Sequence, residues 1–190
     1  MAVELLGICK SYSGVEVVRD FSLKLGHGIT CVMGPSGRGK TTIVNILAGL
    51  VPPDSGTVSL PLGAKFSFVF QEDRLLDWET ALTNVLFAAK RPRQKTERAK
   101  ELLAEAALED SMHKKARELS GGMRRRVALC RALIADYDII VLDEPFKGLD
   151  DKIKPRIMDM VKRHTWGKVV LAITHDSREA EYLGGEVVQV

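Results

Sequence analysis

The sequence predicts an α/β fold, a mostly parallel sheet flanked by helices, on three observations. Strand-like apolar runs alternate with helical stretches along most of the chain, the pattern of strands covered by helices on both faces. The segment Gly34-Pro35-Ser36-Gly37-Arg38-Gly39-Lys40-Thr41 fits G-x-x-x-x-G-K-[ST] without a mismatch. A third segment, Asp138-Ile139-Ile140-Val141-Leu142-Asp143-Glu144-Pro145, runs four apolar residues into two carboxylates. Ligands in open α/β sheets sit at such carboxyl ends.

In chain order, residues 3–8 and 21–25 read as short strands joined by the Ser13-Gly14 turn, with Tyr12 in the polar connection. Ile29-Thr30-Cys31-Val32-Met33 is a buried strand entering the glycine-rich segment. Thr42-Ile43-Val44-Asn45-Ile46-Leu47-Ala48-Gly49 has apolar residues at helical spacing and a glycine suited to a helix end. Pro52-Pro53-Asp54-Ser55-Gly56 marks a turn. Residues 57–60 and 66–70 follow as strands, broken by Pro61-Leu62-Gly63.

From 80 to 111 the character is helical. Ala81, Leu82, Val85, Leu86 and Ala89 form one apolar stripe, and Ala99, Leu102, Leu103 and Ala106 another. The basic connector Lys90-Arg91-Pro92-Arg93 between them reads as a solvated loop. This block predicts a helical subdomain over about 75–120, inserted into the α/β core of a single domain spanning 1–190. A helix over 123–135, a strand over 138–142 and a helix ending near His164 come next. The start of that last helix is left open, because Pro155 fits a first turn and not a helix interior. A strand over 168–173, a helix over 177–183 and a strand over 187–190 complete the order.

Composition bounds the function classes. A chain of 190 residues with 45% hydrophobic and 28% charged residues can bury a sizeable core. A net charge of +3 from 28 basic and 25 acidic residues is a mixed solvated surface and gives no case for nucleic acid. Cys9, Cys31 and Cys130 are odd in number with no C-x-x-C pair, so they read as reduced and mostly buried. The N-terminus lacks the basic and apolar regions of a signal peptide. No apolar run approaches the roughly 20 residues that span a bilayer. The expectation is a cytoplasmic chain whose membrane role, if any, comes through a partner.

The glycine-rich segment has the strand-before, helix-after context that a phosphate loop requires. Glycines let backbone N–H groups converge on a phosphate chain with no Cβ in the way. The helix beginning near Lys40 aims its positive end at the same anion. The Lys40 ammonium then reaches the terminal phosphates, and the Thr41 hydroxyl is placed to ligate Mg2+. The expectation is a P-loop NTPase with a nucleoside triphosphate held by Gly34, Pro35, Ser36, Gly37, Arg38, Gly39, Lys40, Thr41 and Thr42. Asp143 is placed to hold Mg2+, and Glu144 is the natural general base for an attacking water. Leu119-Ser120-Gly121-Gly122-Met123 precedes a helix rich in Arg124, Arg125 and Arg126. Ser120 and its glycines fit either a plain helix cap or a second anion-binding nest.

The order GPSGRGKT, Gln71, LSGGM, DIIVLDEP, Gly148-Leu149-Asp150 and His175 resembles the ATP-binding cassette (ABC) ATPases over essentially the whole chain. The LSGG element discriminates most, since phosphate loops also occur in GTPases, kinases and helicases. The resemblance implies two cassettes, expected to be identical chains, paired head-to-tail. Each ATP would lie between one phosphate loop and the other chain's signature, Ser120, Gly121 and Gly122. It implies that Tyr12 stacks on adenine, that Gln71 touches Mg2+ and the water while sensing the membrane subunit, and that Glu144 is the catalytic glutamate. It further implies that His175 contacts the γ-phosphate and that Asp150 crosses the dimer interface. A small antiparallel β subdomain near the nucleotide base belongs to the same implication.

The segment Gln71-Glu72-Asp73-Arg74-Leu75-Leu76-Asp77-Trp78 and Met123 are similar to importer cassettes of the nitrate, sulfonate and taurine type. The reading is therefore an ATPase subunit on the inner face of the cell membrane, working with transmembrane permease subunits and no nucleic acid. Two departures stand out: the stretch from Lys40 to Gln71 is short for the family, and no C-terminal regulatory domain is expected after the last strand. The alternative is a non-transport cassette acting on ribosomes or DNA. Those relatives typically carry paired cassettes or long coiled coils, and this sequence has one cassette and no heptads. A phosphate-loop kinase or GTPase leaves LSGGM and His175 unexplained.

Overall fold

A computed structural model describes residues 3–35 and 37–190. Ser36, expected in the phosphate loop, lies outside the described residues. The chain divides into two units: residues 1–68, 138–144 and 167–190 in the first, and 69–137 and 145–166 in the second.

The first unit holds the sheets. β1 (Val3–Tyr12) pairs antiparallel with β2 (Val15–Leu25) and with β4 (Ser55–Ser59), giving the order β2-β1-β4. Its alternation puts Val3 and Leu5 inside, and a register shift between Leu5 and Ile8 brings Ile8 to the same face, all three fully buried. Both long strands extend further than the sequence indicated, and Tyr12 falls at the end of β1, paired with Val15. The tight Ser13-Gly14 turn, both residues at positive φ, lets the ladder run to the hairpin tip.

β3 (Gly28–Met33), β5 (Phe66–Val69), β6 (Ile139–Asp143), β7 (Val169–Ile173) and β8 (Glu186–Gln189) form the second sheet, ordered β5-β6-β7-β3-β8. β3 pairs parallel with β7 and β8, and β6 pairs parallel with β7. β6 and β7 are buried at every position, as continuous apolar runs in a covered parallel sheet should be. α1 (Lys40–Leu47) follows β3, and α6 (Ser177–Leu183) follows β7, capped by the Asp176 carboxylate accepting from the Arg178 N–H.

The second unit is helical: α2 (Ala81–Leu86), α3 (Thr96–Glu105), α4 (Gly121–Ile134) and α5 (Lys154–His164). It therefore includes α4 and α5 as well as the segment over 75–120. The first stripe is helical only to Leu86. Thr80 caps it, its hydroxyl accepting from the Thr83 N–H at 3.1 Å, and the chain then turns through 87–95 with Arg91 at positive φ and Pro92 behind it. Pro155 sits in the first turn of α5, where its missing N–H removes no helical bond. Ala99, Leu102, Leu103, Val127, Leu129, Ile157 and Met160 are buried to within about a hundredth of their surface and make this unit's own core.

Cys31 and Cys130 are fully buried, and burial pushes their thiols up to about 11 and about 12; Glu179 near Cys31 and Glu105 near Cys130 act in the same direction. Cys9 is only partly buried. Native-state alkylation at pH 8, read by peptide mass, is expected to label Cys9 alone; fast labelling of Cys130 would contradict the packed core.

In the second unit, burial pushes the Glu105 carboxyl up, but hydrogen bonds and positive charge from His164 and Arg163 outweigh it and hold it below the usual range. A depressed carboxyl contributes stability above its unfolded pKa of roughly 4.3 and loses it as pH falls through the folded value. Acid unfolding of Glu105→Gln is expected to show a shallower pH dependence below about pH 4.5 than the parent chain.

Candidate nucleotide site

The glycine-rich loop joins β3, an interior strand of the parallel sheet, to α1, and its geometry explains the glycines. Gly37 and Gly39 have φ of 84° and 81°, the left-handed region that other residues enter at a cost. A Cβ on Gly39 would stand 2.5 Å from the Val17 carbonyl oxygen and 2.6 Å from a Val18 methyl. A Cβ on Gly34 would stand 2.5 Å from the Val190 carbonyl oxygen. The loop is thus pressed against β2 on one side and the end of β8 on the other.

Lys40 opens α1 and is 7% exposed. Its Nζ donates to the carbonyls of Gly34 and Pro35, both at 2.7 Å, so the ammonium curls back into the loop and holds it in a ring. Beside it, Thr41 Oγ1 donates to Asp143 Oδ2 at 3.1 Å. Asp143 ends β6 and is 2% exposed. A hydroxyl and a buried carboxylate in contact, next to a phosphate-type loop, form a hard oxygen donor pair that fits Mg2+. Thr42 lies one residue on in α1, half-buried, and Pro35 and Arg38 are exposed on the loop.

Glu144 follows Asp143 at φ 48°, a left-handed backbone that costs a residue with a Cβ about 1–2 kcal/mol. Its N–H donates to the Ile173 carbonyl at 2.9 Å, which fixes it against the end of β7. Its Oε1 lies 3.3 Å from His175 Nδ1, and its Oε2 is buried. The His175 side chain is 59% exposed, against 14% for Glu144, so the imidazole faces outward while the carboxylate is shielded. Lys40, Thr41, Asp143, Glu144 and His175 thus gather at the carboxyl ends of β3, β6 and β7, three neighbours in one sheet.

Tyr12 is 43% exposed in the same unit. Lys10 Nζ lies 5.7 Å from its ring centroid and pairs with Asp54 Oδ1 at 2.6 Å, while Asp54 Oδ2 accepts from the Ser11 N–H at 2.7 Å. The Asp54 turn thereby braces the strand end that presents the ring. Sequence reading gave Lys10 and Asp54 no part in this. Residues 44 positions apart reveal such a pair only when folded.

The remaining expected residues belong to the second unit. Gln71 is exposed just after β5. Ser120 is the N-cap of α4, its hydroxyl accepting from the Met123 N–H at 3.3 Å, and it is exposed with Gly121. A Cβ on Gly122 would stand 3.0 Å from the Gly148 carbonyl oxygen, so the signature glycine lets the Gly148-Leu149-Asp150 turn pack against it. Asp150 Oδ1 accepts from the N–H groups of Lys152 and Ile153, both at 3.0 Å, and caps the turn leading to α5. Both readings of Ser120 therefore remain compatible: it caps a helix, and it is open to an anion.

A family model described as ABC transporter matches residues 18–147. The taurine import ATP-binding protein TauB of Pseudomonas putida is 39% identical over 202 residues, covering 98% of this chain and 77% of its own length. The aliphatic sulfonates import ATP-binding protein SsuB 3 of Rhodococcus jostii is 38% identical over 193 residues, covering 99% and 70%. Among solved structures, the bacterial ABC transporter cassette MJ0796, captured as a dimer, superposes with a TM-score of 0.88 at 32% identity, covering 99% of this chain and 94% of that one. A post-hydrolysis dimer of the same cassette bound to ADP and Pi gives 0.86 at 31% identity.

Gly39→Ala tests the loop geometry. The added methyl meets backbone at 2.5 Å and requires a positive φ, so the expected result is loss of nucleotide binding by calorimetry, at least roughly tenfold in affinity. Unchanged affinity would mean that the loop adapts and that its packing on β2 is not what shapes it.

Proposed function

This chain belongs to the ABC transporter family, and on that premise we propose how its residues bind and hydrolyse ATP as the energy-supplying subunit of an importer. The observation that carries the reading is the convergence of Lys40, Thr41, Asp143, Glu144 and His175 at the ends of three adjacent parallel strands. The names of the relatives, taurine and aliphatic sulfonate import proteins, support an importer of small sulfonates. Among the described residues no helix is long and apolar enough to cross a membrane. The chain would act at the cytoplasmic face through permease subunits, with no role for nucleic acid.

The phosphate chain of ATP enters the loop formed by Gly34, Pro35, Ser36, Gly37, Arg38 and Gly39, where N–H groups and the start of α1 supply positive potential. Lys40 exchanges its two carbonyl partners for phosphate oxygens, trading neutral acceptors for charged ones, the stronger interaction. Thr41 and Asp143 would hold Mg2+, which neutralises phosphate charge when bound. Tyr12 offers its exposed face to the adenine. Glu144, held by its backbone bond to Ile173, is the base that takes a proton from the attacking water. His175 orients that carboxylate and contacts the γ-phosphate, and Gln71 would serve as a further ligand of Mg2+ and a partner of the water.

Ser120, Gly121 and Gly122 complete the site of a second, identical chain, head-to-tail, with Asp150 crossing the interface. The dimer closes because each γ-phosphate meets donors from both chains. Hydrolysis removes that bridge and reopens it. The free energy goes into a population shift between two dimer states, which the permease subunits follow.

Size-exclusion chromatography of Glu144→Gln tests the reading. The expected result is a monomer that becomes a dimer only with ATP and Mg2+, and a dimer that is lost again when Ser120→Arg is added. A monomer that persists although ATP binds contradicts self-pairing. A monomer that binds no ATP overturns the assignment of the loop.

A further inference from the structure

The chain crosses between its two units at 68/69, 137/138, 144/145 and 166/167. Just beyond two of these crossings, and wholly within the second unit, the backbone is held by one side chain. Arg125 of α4 is 3% exposed. Its Nε donates to the Pro145 carbonyl at 3.2 Å. Its Nη1 donates to the Phe70 carbonyl at 2.6 Å and to Asp73 Oδ1 at 3.1 Å, with the Gln71 carbonyl at the outer limit of 3.5 Å. Two more arginines of α4 grip the same loop. Arg124 Nη1 donates to Asp77 Oδ1 at 2.7 Å, and Arg131 donates to the carbonyls of Arg74 and Asp73, each at 2.6 Å.

We propose that Arg125 is a positioning residue for ATP hydrolysis: it ties the backbone at Gln71 and at Pro145, the residue after Glu144, to the helix that begins with the signature. The proposal rests on the roles given above to Gln71, Glu144 and Ser120. The chemistry suits the task. A guanidinium offers five donors in a rigid planar fork, so one side chain can hold carbonyls from separate segments at fixed angles. Buried, it cannot release those acceptors without leaving a charge unpaired in low dielectric. The three segments are thereby tied to one another within the second unit, so a movement of α4 is passed to the backbone at Gln71 and at Pro145. A buried arginine serving stability alone would need acceptors, but not acceptors at two chain crossings.

Arg125→Lys keeps the charge and loses the fork, since an ammonium cannot span both segments. The expected result in the full chain is a kcat for ATP lowered roughly tenfold or more with KM moved less than about threefold, because the phosphate loop lies in the other unit and only the reacting geometry suffers. Amide hydrogen exchange is expected to quicken together at 71–75 and 145–149, with residues 37–47 unchanged. A folded variant with parental kcat, or exchange rising in only one of the two segments, overturns the proposal. Should Arg125→Lys not fold, Asp73→Asn leaves the three carbonyl acceptors and removes the charged one. The same joint rise in exchange is then expected at smaller amplitude, and its absence overturns the proposal. Exchange needs no turnover, so a parent chain without ATPase activity would count against the site assignment and leave the clamp to be judged by exchange alone.

Discussion

A hydrogen bond of 3.1 Å from Thr41 Oγ1 to Asp143 Oδ2 joins residues 102 positions apart and sets the terms for the rest of the first unit. It requires the first residues of α1 to stand beside the end of β6, although β6 and β3 are not neighbours and β7 lies between them. Only a parallel sheet with all three strands in step can deliver that. The registers that pair Val32 with Ile173 and Asp143 with Ile173 align the three carboxyl ends at one level. A slip of one residue would turn every side chain of a strand to the opposite face, and Asp143 would no longer meet the hydroxyl. The continuous burial of β6 and β7 resists such a slip, so the packing of the core and the placement of the hydrophilic pair are one requirement.

The same alignment holds the strain at Glu144. Its left-handed backbone is retained because its N–H bonds the Ile173 carbonyl and because buried strands fix the residues before it. Strain of about 1–3 kcal/mol persists only where the surroundings over-determine it. Here it turns the carboxylate away from the strand direction and toward His175. In the second unit, the missing Cβ of Gly122 lets the first turn of α4 meet the Gly148 carbonyl closely. In the proposed function the loop of the first unit takes the phosphates of one ATP, and the helix start in the second unit serves the ATP of the other chain.

Much of this was legible in the sequence where local signals and tertiary requirements coincide. The phosphate loop was plain because its glycines answer to φ and close approach, its lysine to charge, and its flanks to periodicity. α6 has the bounds expected for it, since Asp176 and Gly184 are unambiguous end signals. The parallel sheet followed from strands alternating with helices along the chain. What stayed hidden depended on contacts distant in sequence. Glu144 carries no local sign of its positive φ, as glutamate is a poor left-handed residue. The Lys10–Asp54 brace links a strand to a turn through side chains that read as solvated. Arg125 stands in a run of three arginines, and nothing local to the run says which of them is buried. Consecutive helical positions span about 200°, however, and with Val127 to Cys130 buried one of the three had to point inward.

In the proposed function each chain supplies only half of a hydrolytic site. Mixing two variants tests it most directly: Lys40→Ala, which loses the phosphate grip but keeps its signature, and Ser120→Arg, which keeps the grip but loses the signature. Each alone is expected to be inactive in steady-state ATP hydrolysis. Together they should recover activity, because a mixed dimer contains one intact loop facing one intact signature. No recovery at any mixing ratio, with the parent chain active under the same conditions, would contradict the shared site and place the whole of catalysis within a single chain.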